Sequence, residues 1–84
     1  MPFSVKAQEI HDCILKANQT DYWVGVARRY VRRRRQYQPG PHSIRRLWSL
    51  IARLKVELSG AVPDANDSHW EEIANWLFDL VSPR

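Results

Sequence analysis

Cysteine occurs once in these 84 residues and glycine three times, and no stretch reaches the about 18 uninterrupted apolar residues that a membrane span needs. A single thiol, Cys13, can form no intrachain disulfide, which argues against a disulfide-stapled secreted scaffold and fits a reducing compartment. Lys6, Glu9, His11, Asp12 and Lys16 interrupt every apolar stretch near the start, so no signal-peptide core is expected there. Together these absences lead to the expectation of a soluble intracellular protein, in the cytoplasm or associated with nucleoid or nucleus.

Chemistry is equally sparse. There is no Gly-rich phosphate loop, no Ser-His-Asp set and no cluster of inward carboxylates, so an enzyme is not expected. His11 and Cys13 are two apart on a helix and point in different directions, and His42 and His69 have no paired ligand. Neither a metal nor another cofactor is expected.

The scarcest group in the middle of the chain is acid. Residues 22–58 hold ten Arg and Lys against one carboxylate, Glu57, a local charge of about +9, whereas the remainder holds three bases and eight acids, about −5. The net charge of +4 therefore conceals a polarised molecule. Its centre is Arg28-Arg29-Tyr30-Val31-Arg32-Arg33-Arg34-Arg35, six guanidinium groups in eight residues.

What the chain does contain is aromatic and apolar periodicity. Four Trp, three Tyr and two Phe argue for a folded core. Apolar residues recur at three and four over about 4–18, 22–37, 44–58 and 69–81, which predicts an all-α bundle of four helices in one domain spanning 1–84. The first helix should bury Phe3, Ala7, Ile10, Cys13, Ile14 and Ala17. Thr20 or Asp21 should cap the second, which turns Trp23, Val26, Ala27, Tyr30 and Tyr37 inward. Gln38-Pro39-Gly40-Pro41-His42 cannot continue a helix, and Ser43 is positioned to cap the third. That helix should bury Ile44, Leu47, Trp48, Ile51, Leu54 and Leu58, stopping at Ser59-Gly60. Residues 61–67 read as a loop. Ser68 and Glu71 have capping-box spacing for the fourth helix, with Trp70, Ile73, Ala74, Leu77, Leu80 and Val81 inward and Trp76 and Phe78 at the exposed edges.

The arginine run defines the candidate site. Arg28, Arg32 and Arg35 project from one side of the second helix at i, i+4 and i+7, with Arg29 and Arg33 beside them and Arg45 and Arg46 flanking from the third; Arg34 turns towards the apolar side. Guanidinium forks bond phosphate oxygens in a bidentate manner, and a one-sided row of them releases counterions from a nucleic-acid backbone. Tyr22 and Tyr37 are the candidate base-stacking residues. One or two cations satisfy a helix dipole, but six packed together repel one another and call for an external anion. A helix-turn-helix fits poorly, because five residues with two prolines replace the usual short turn. The expected role is therefore non-catalytic binding of DNA or RNA by phosphate contacts, with the chain as a small subunit of a larger complex. The alternative is an adaptor or inhibitor, of the kind found in mobile genetic elements, whose basic helix docks on an acidic protein surface. Intramolecular pairing with acids of the first and fourth helices, or self-association through them into a homo-oligomer, competes with both.

Overall fold

The computed structural model describes residues 3–32 and 44–81; at 31, 32 and 44–46 the description covers the helical backbone. Four helices occupy these residues: α1 Val5–Lys16, α2 Thr20–Arg32, α3 Ile44–Leu58 and α4 Asp67–Val81. Among the described residues there is no strand, and the all-α architecture follows the periodicity of the sequence.

Capping sets the boundaries. Ser4 adopts an extended conformation ahead of α1, and its Oγ accepts from the Ala7 N–H at 3.4 Å. Its own N–H donates to Glu72 of α4 at 3.0 Å, and its hydroxyl donates to the same carboxylate at 2.7 Å. Glu72 thus fills, from another helix, the place that an acidic N3 residue takes in a capping box. At the other end, Asn18 enters the left-handed region (φ 57). The Gln19 N–H bonds the Ile14 carbonyl and the Asn18 N–H bonds that of Leu15, both at 3.0 Å, which is the Schellman pattern with Asn at its left-handed position.

That tight turn displaces the expected start of α2. The chain re-enters a helix immediately after Gln19, whose carbonyl accepts from the Trp23 N–H at 3.0 Å, so Thr20 and Asp21 lie inside the first turn and do not cap it. The stretch expected to carry α2 on to residue 37, and the Ser43 cap of α3, fall outside the described residues.

The start of α4 is also earlier than expected. Asn66, rather than Ser68, is the cap. Its Oδ1 accepts from the Ser68 N–H at 3.1 Å and the His69 N–H at 3.4 Å, while His69 Nδ1 accepts from the Asn66 N–H at 3.0 Å. This is a capping box moved two residues upstream, with an imidazole in place of the usual Glu.

Burial selects α4 as the central element. It packs against α1, α2 and α3, and α2 also touches α3. One apolar cluster joins Ala7, Ile10 and Ile14 of α1, Trp23, Val26 and Ala27 of α2, Leu50, Ile51 and Leu54 of α3, and Trp70, Ile73, Ala74, Leu77 and Phe78 of α4. Full burial of a single large apolar side chain is worth about 1.5 to 3 kcal/mol, so the rotation of each helix is firmly set by this list. Val62, in the loop between α3 and α4, closes the cluster. The Trp23 indole N–H is buried with no hydrogen-bond partner among the described residues, a cost that its ring burial must exceed.

Several inward and outward expectations change. Trp48 is 45% exposed and Leu50 fully buried, because the seam of α3 runs through Leu47, Leu50, Ile51, Leu54 and Leu58 and leaves Trp48 on its edge. Phe78 is only 1% exposed and Leu80 is 49% exposed, a small rotation of the buried arc of α4. Trp76 is half-buried between Phe3 (ring centroids 6.1 Å) and His11 (4.7 Å). Ala17 lies exposed beyond the last turn of α1.

Candidate nucleic-acid interface

Burial of Trp23, Val26 and Ala27, with Tyr30 half-buried beside them, turns the opposite side of α2 to solvent and places Arg28 and Arg29 there, both exposed. Among the described residues neither has a carboxylate partner. Five carboxylates, Glu9, Asp12, Asp64, Asp67 and Glu72, are engaged with other groups. Lys6 pairs with Asp64 at 2.9 Å and with Glu9 at 3.1 Å, and Lys55 pairs with Asp67 at 2.8 Å. Gln8 donates to Asp12 at 3.0 Å, and Glu72 is held by Ser4.

Glu57, the single acid of the basic segment, is also engaged. Arg53 Nε donates to it at 2.7 Å, and the Tyr22 hydroxyl donates at 3.0 Å and 3.1 Å to its two oxygens. The Arg53 guanidinium, and after it the Tyr22 hydroxyl, hold the Glu57 carboxyl below its ordinary range; Glu57, and after it Tyr22, push the Arg53 value up. Arg53 is therefore neutralised locally and adds little to the basic surface that sequence alone extends along α3. The Tyr22 ring is 44% exposed, but its hydroxyl also accepts from Arg53 at 3.3 Å and its ring meets Trp23 edge-on at 5.1 Å. It serves as a strut between α2 and α3.

These links share one end of the molecule. Tyr22 lies in the first turn of α2 and meets the last turns of α3; Lys55, at the same place, meets the first turn of α4; Lys6 and Ser4 bring the start of α1 to Asp64 and Glu72. The starts of α2 and α4 both meet the end of α3, and α2 and α3 both pack on α4, so α3 runs opposed to the other two. The last turns of α2, carrying Arg28, Arg29 and Arg32, consequently share the far end with the first turn of α3, carrying Arg45 and Arg46. Asp79 is the only carboxylate on the corresponding turns of α4. The helical turns that carry these five arginines thus lie at the opposite ends of α2 and α3 from the paired charges. Arg33, Arg35 and Tyr37 lie outside the described residues.

One residue of that end was assigned to the buried seam of the third helix from the sequence. Trp48, in the second turn of α3, is 45% exposed. A signal was available: Leu50 completes the three-and-four spacing of the seam as well as Trp48 does, so one of the two had to lie outside it.

Among the described residues no three His, Cys, Asp or Glu gather as metal ligands, and no helix is long and apolar enough to cross a membrane. No protein-family model, no curated protein and no solved structure matches this chain.

Proposed function

We propose that this chain is a non-catalytic nucleic-acid-binding protein that docks on a phosphate backbone through the arginine pole, inside the cell and as a small subunit of a larger complex. Arg28, Arg29 and Arg32 supply the first contacts, Arg33 and Arg35 extend them, and Arg45 and Arg46 flank them. The observation that carries this reading is the exposure of Arg28 and Arg29 without a carboxylate partner among the described residues, while Glu57, Asp64, Asp67 and Glu72 are spent on other groups. Guanidinium groups carried close together repel each other in the free protein, and a polyanion relieves that repulsion while releasing its own counterions.

Fluorescence anisotropy of labelled nucleic acid over a range of salt tests the proposal. Neutralisation of about six phosphates on duplex DNA gives a slope of log K against log salt near −5. A slope near zero, or no binding at low salt, removes it.

The second reading is a protein-interaction module whose basic helix docks on an acidic protein surface. It is favoured by exposed apolar side chains on α3, Val56 at 81% among them, since protein interfaces combine arginine anchors with apolar contacts. Nuclease treatment in a pull-down separates the two: it abolishes capture that runs through nucleic acid and leaves a direct protein contact in place.

A further inference from the structure

Trp48 stands where the arginine pole meets solvent. We infer that this pole takes single-stranded nucleic acid and that the Trp48 indole stacks on one of its unpaired bases, an inference that rests on the nucleic-acid reading above.

The position comes first. Trp48 follows Arg45 and Arg46 by three and two residues, about 3 to 5 Å along the axis of α3, and shares their end of the molecule with Arg28, Arg29 and Arg32. Exposure is the second observation. Trp23 and Trp70 are buried, and Trp76 is held between Phe3 and His11, whereas Trp48 is 45% exposed and no ring lies against it among the described residues. Leu47, Leu50, Ile51, Leu54 and Leu58 already make the inner seam of α3, so the fold does not require an indole at position 48. The third observation is the contrast with Tyr22, the other exposed ring among the described residues. Its hydroxyl is tied to Glu57 and Arg53 and its ring meets Trp23, at the end of the molecule where charges are paired.

The chemistry then selects the ligand. In a duplex, both faces of each base are covered by neighbouring bases, and a side chain outside the stack reaches only edges, sugars and phosphates. In a single strand the bases can be splayed out, and an indole beside cations offers a stacking surface while the guanidinium groups hold the adjoining phosphates. Every base has a π face, so the contact is tolerant of sequence. DNA and RNA strands share this chemistry.

The experiment titrates the full chain into labelled single-stranded DNA, single-stranded RNA and duplexes of the same sequences, read by anisotropy at two salt concentrations. Trp48→Ala and Trp48→Phe are compared with Arg28→Ala, and thermal melts check folding. The expected result is tighter binding to single strands than to duplex. Trp48→Ala then weakens single-strand binding about tenfold with the salt slope and duplex affinity unchanged, and Trp48→Phe retains most of the affinity. DNA and RNA arms that respond alike assign the contact to the base face, and a response confined to one of them still supports stacking on that strand. If Trp48→Ala binds single strands as wild type does, or loses duplex affinity equally, the stacking inference falls while an effect of Arg28→Ala keeps the phosphate-docking reading. No binding to any probe, with an acidic protein captured instead, overturns both.

Discussion

Ser4 and Glu72 show how much a single pair of side chains can do in a chain of this size. The Ser4 hydroxyl caps α1, and the Glu72 carboxylate receives both its N–H and its hydroxyl, fastening α1 to α4. Loss of an N-cap hydroxyl costs about 1 kcal/mol, so Ser4→Ala should lower the unfolding free energy by about that amount in urea titrations, whereas Ser4→Asp should fail to rescue because it sets a second carboxylate against Glu72. The backbone N–H of Ser4, then its hydroxyl, hold the Glu72 carboxyl below its ordinary value, as Arg53 does for Glu57 and Lys6 for Asp64. A carboxyl with a depressed folded pKa stabilises the fold above its unfolded value, 4.5 for Glu and 3.8 for Asp, and this contribution disappears as pH falls through the folded value. The melting temperature should therefore be level from pH 7 to about 5 and fall below about 4.5, and Glu72→Gln should flatten that acid limb. An unchanged acid limb in Glu72→Gln would count against this pairing. Single residues are also where sequence was least informative. Tyr22 is chemically suited to stacking, and only the placement of Glu57 and Arg53 in space makes it a strut.

At the scale of elements the helices themselves were legible, because apolar spacing at three and four reports burial directly; within the described residues each of the four overlaps the stretch where the pattern places it. Their ends and rotations were less so, for identifiable reasons. Asn66 and Ser68 are both good cap residues, and Glu71, three after Ser68, completes the usual capping-box signature, whereas the true partner of Asn66 is His69. An imidazole at that position is outside the familiar pattern. Asn66→Ala should accordingly destabilise by about 1 kcal/mol and Ser68→Ala by less than half of that, measured by denaturant unfolding. The opposite ranking would return the cap to Ser68. The rotation of α3 was ambiguous because Trp48 and Leu50 are both apolar and each completes a helical repeat; only the shape of the neighbouring α4 surface decides between them.

For the whole molecule, charge is distributed by helix polarity. Sequence reveals a basic segment between acidic flanks, but the separation of paired charge from unpaired charge depends on α3 running opposite to α2 and α4, which no local pattern encodes. This separation predicts that arginines of one chain behave in two distinct ways. Arg53 belongs to the strut with Glu57 and Tyr22, so Arg53→Ala should lower the melting temperature and leave the salt slope of nucleic-acid binding where it was. Arg28 and Arg29 hold nothing in place among the described residues, so the double change to Ala should leave the melting temperature unchanged or raise it slightly as self-repulsion falls. It should also reduce the magnitude of the salt slope by about 2, close to one counterion for each phosphate that is no longer neutralised. Thermal melts and salt titrations on the same two variants read both quantities. If Arg53→Ala weakened the slope as much as the double variant did, the basic surface would run along the full length of α2 and α3. The reciprocal pattern, with stability falling at one pole and binding at the other, is what α3 running opposite to α2 requires.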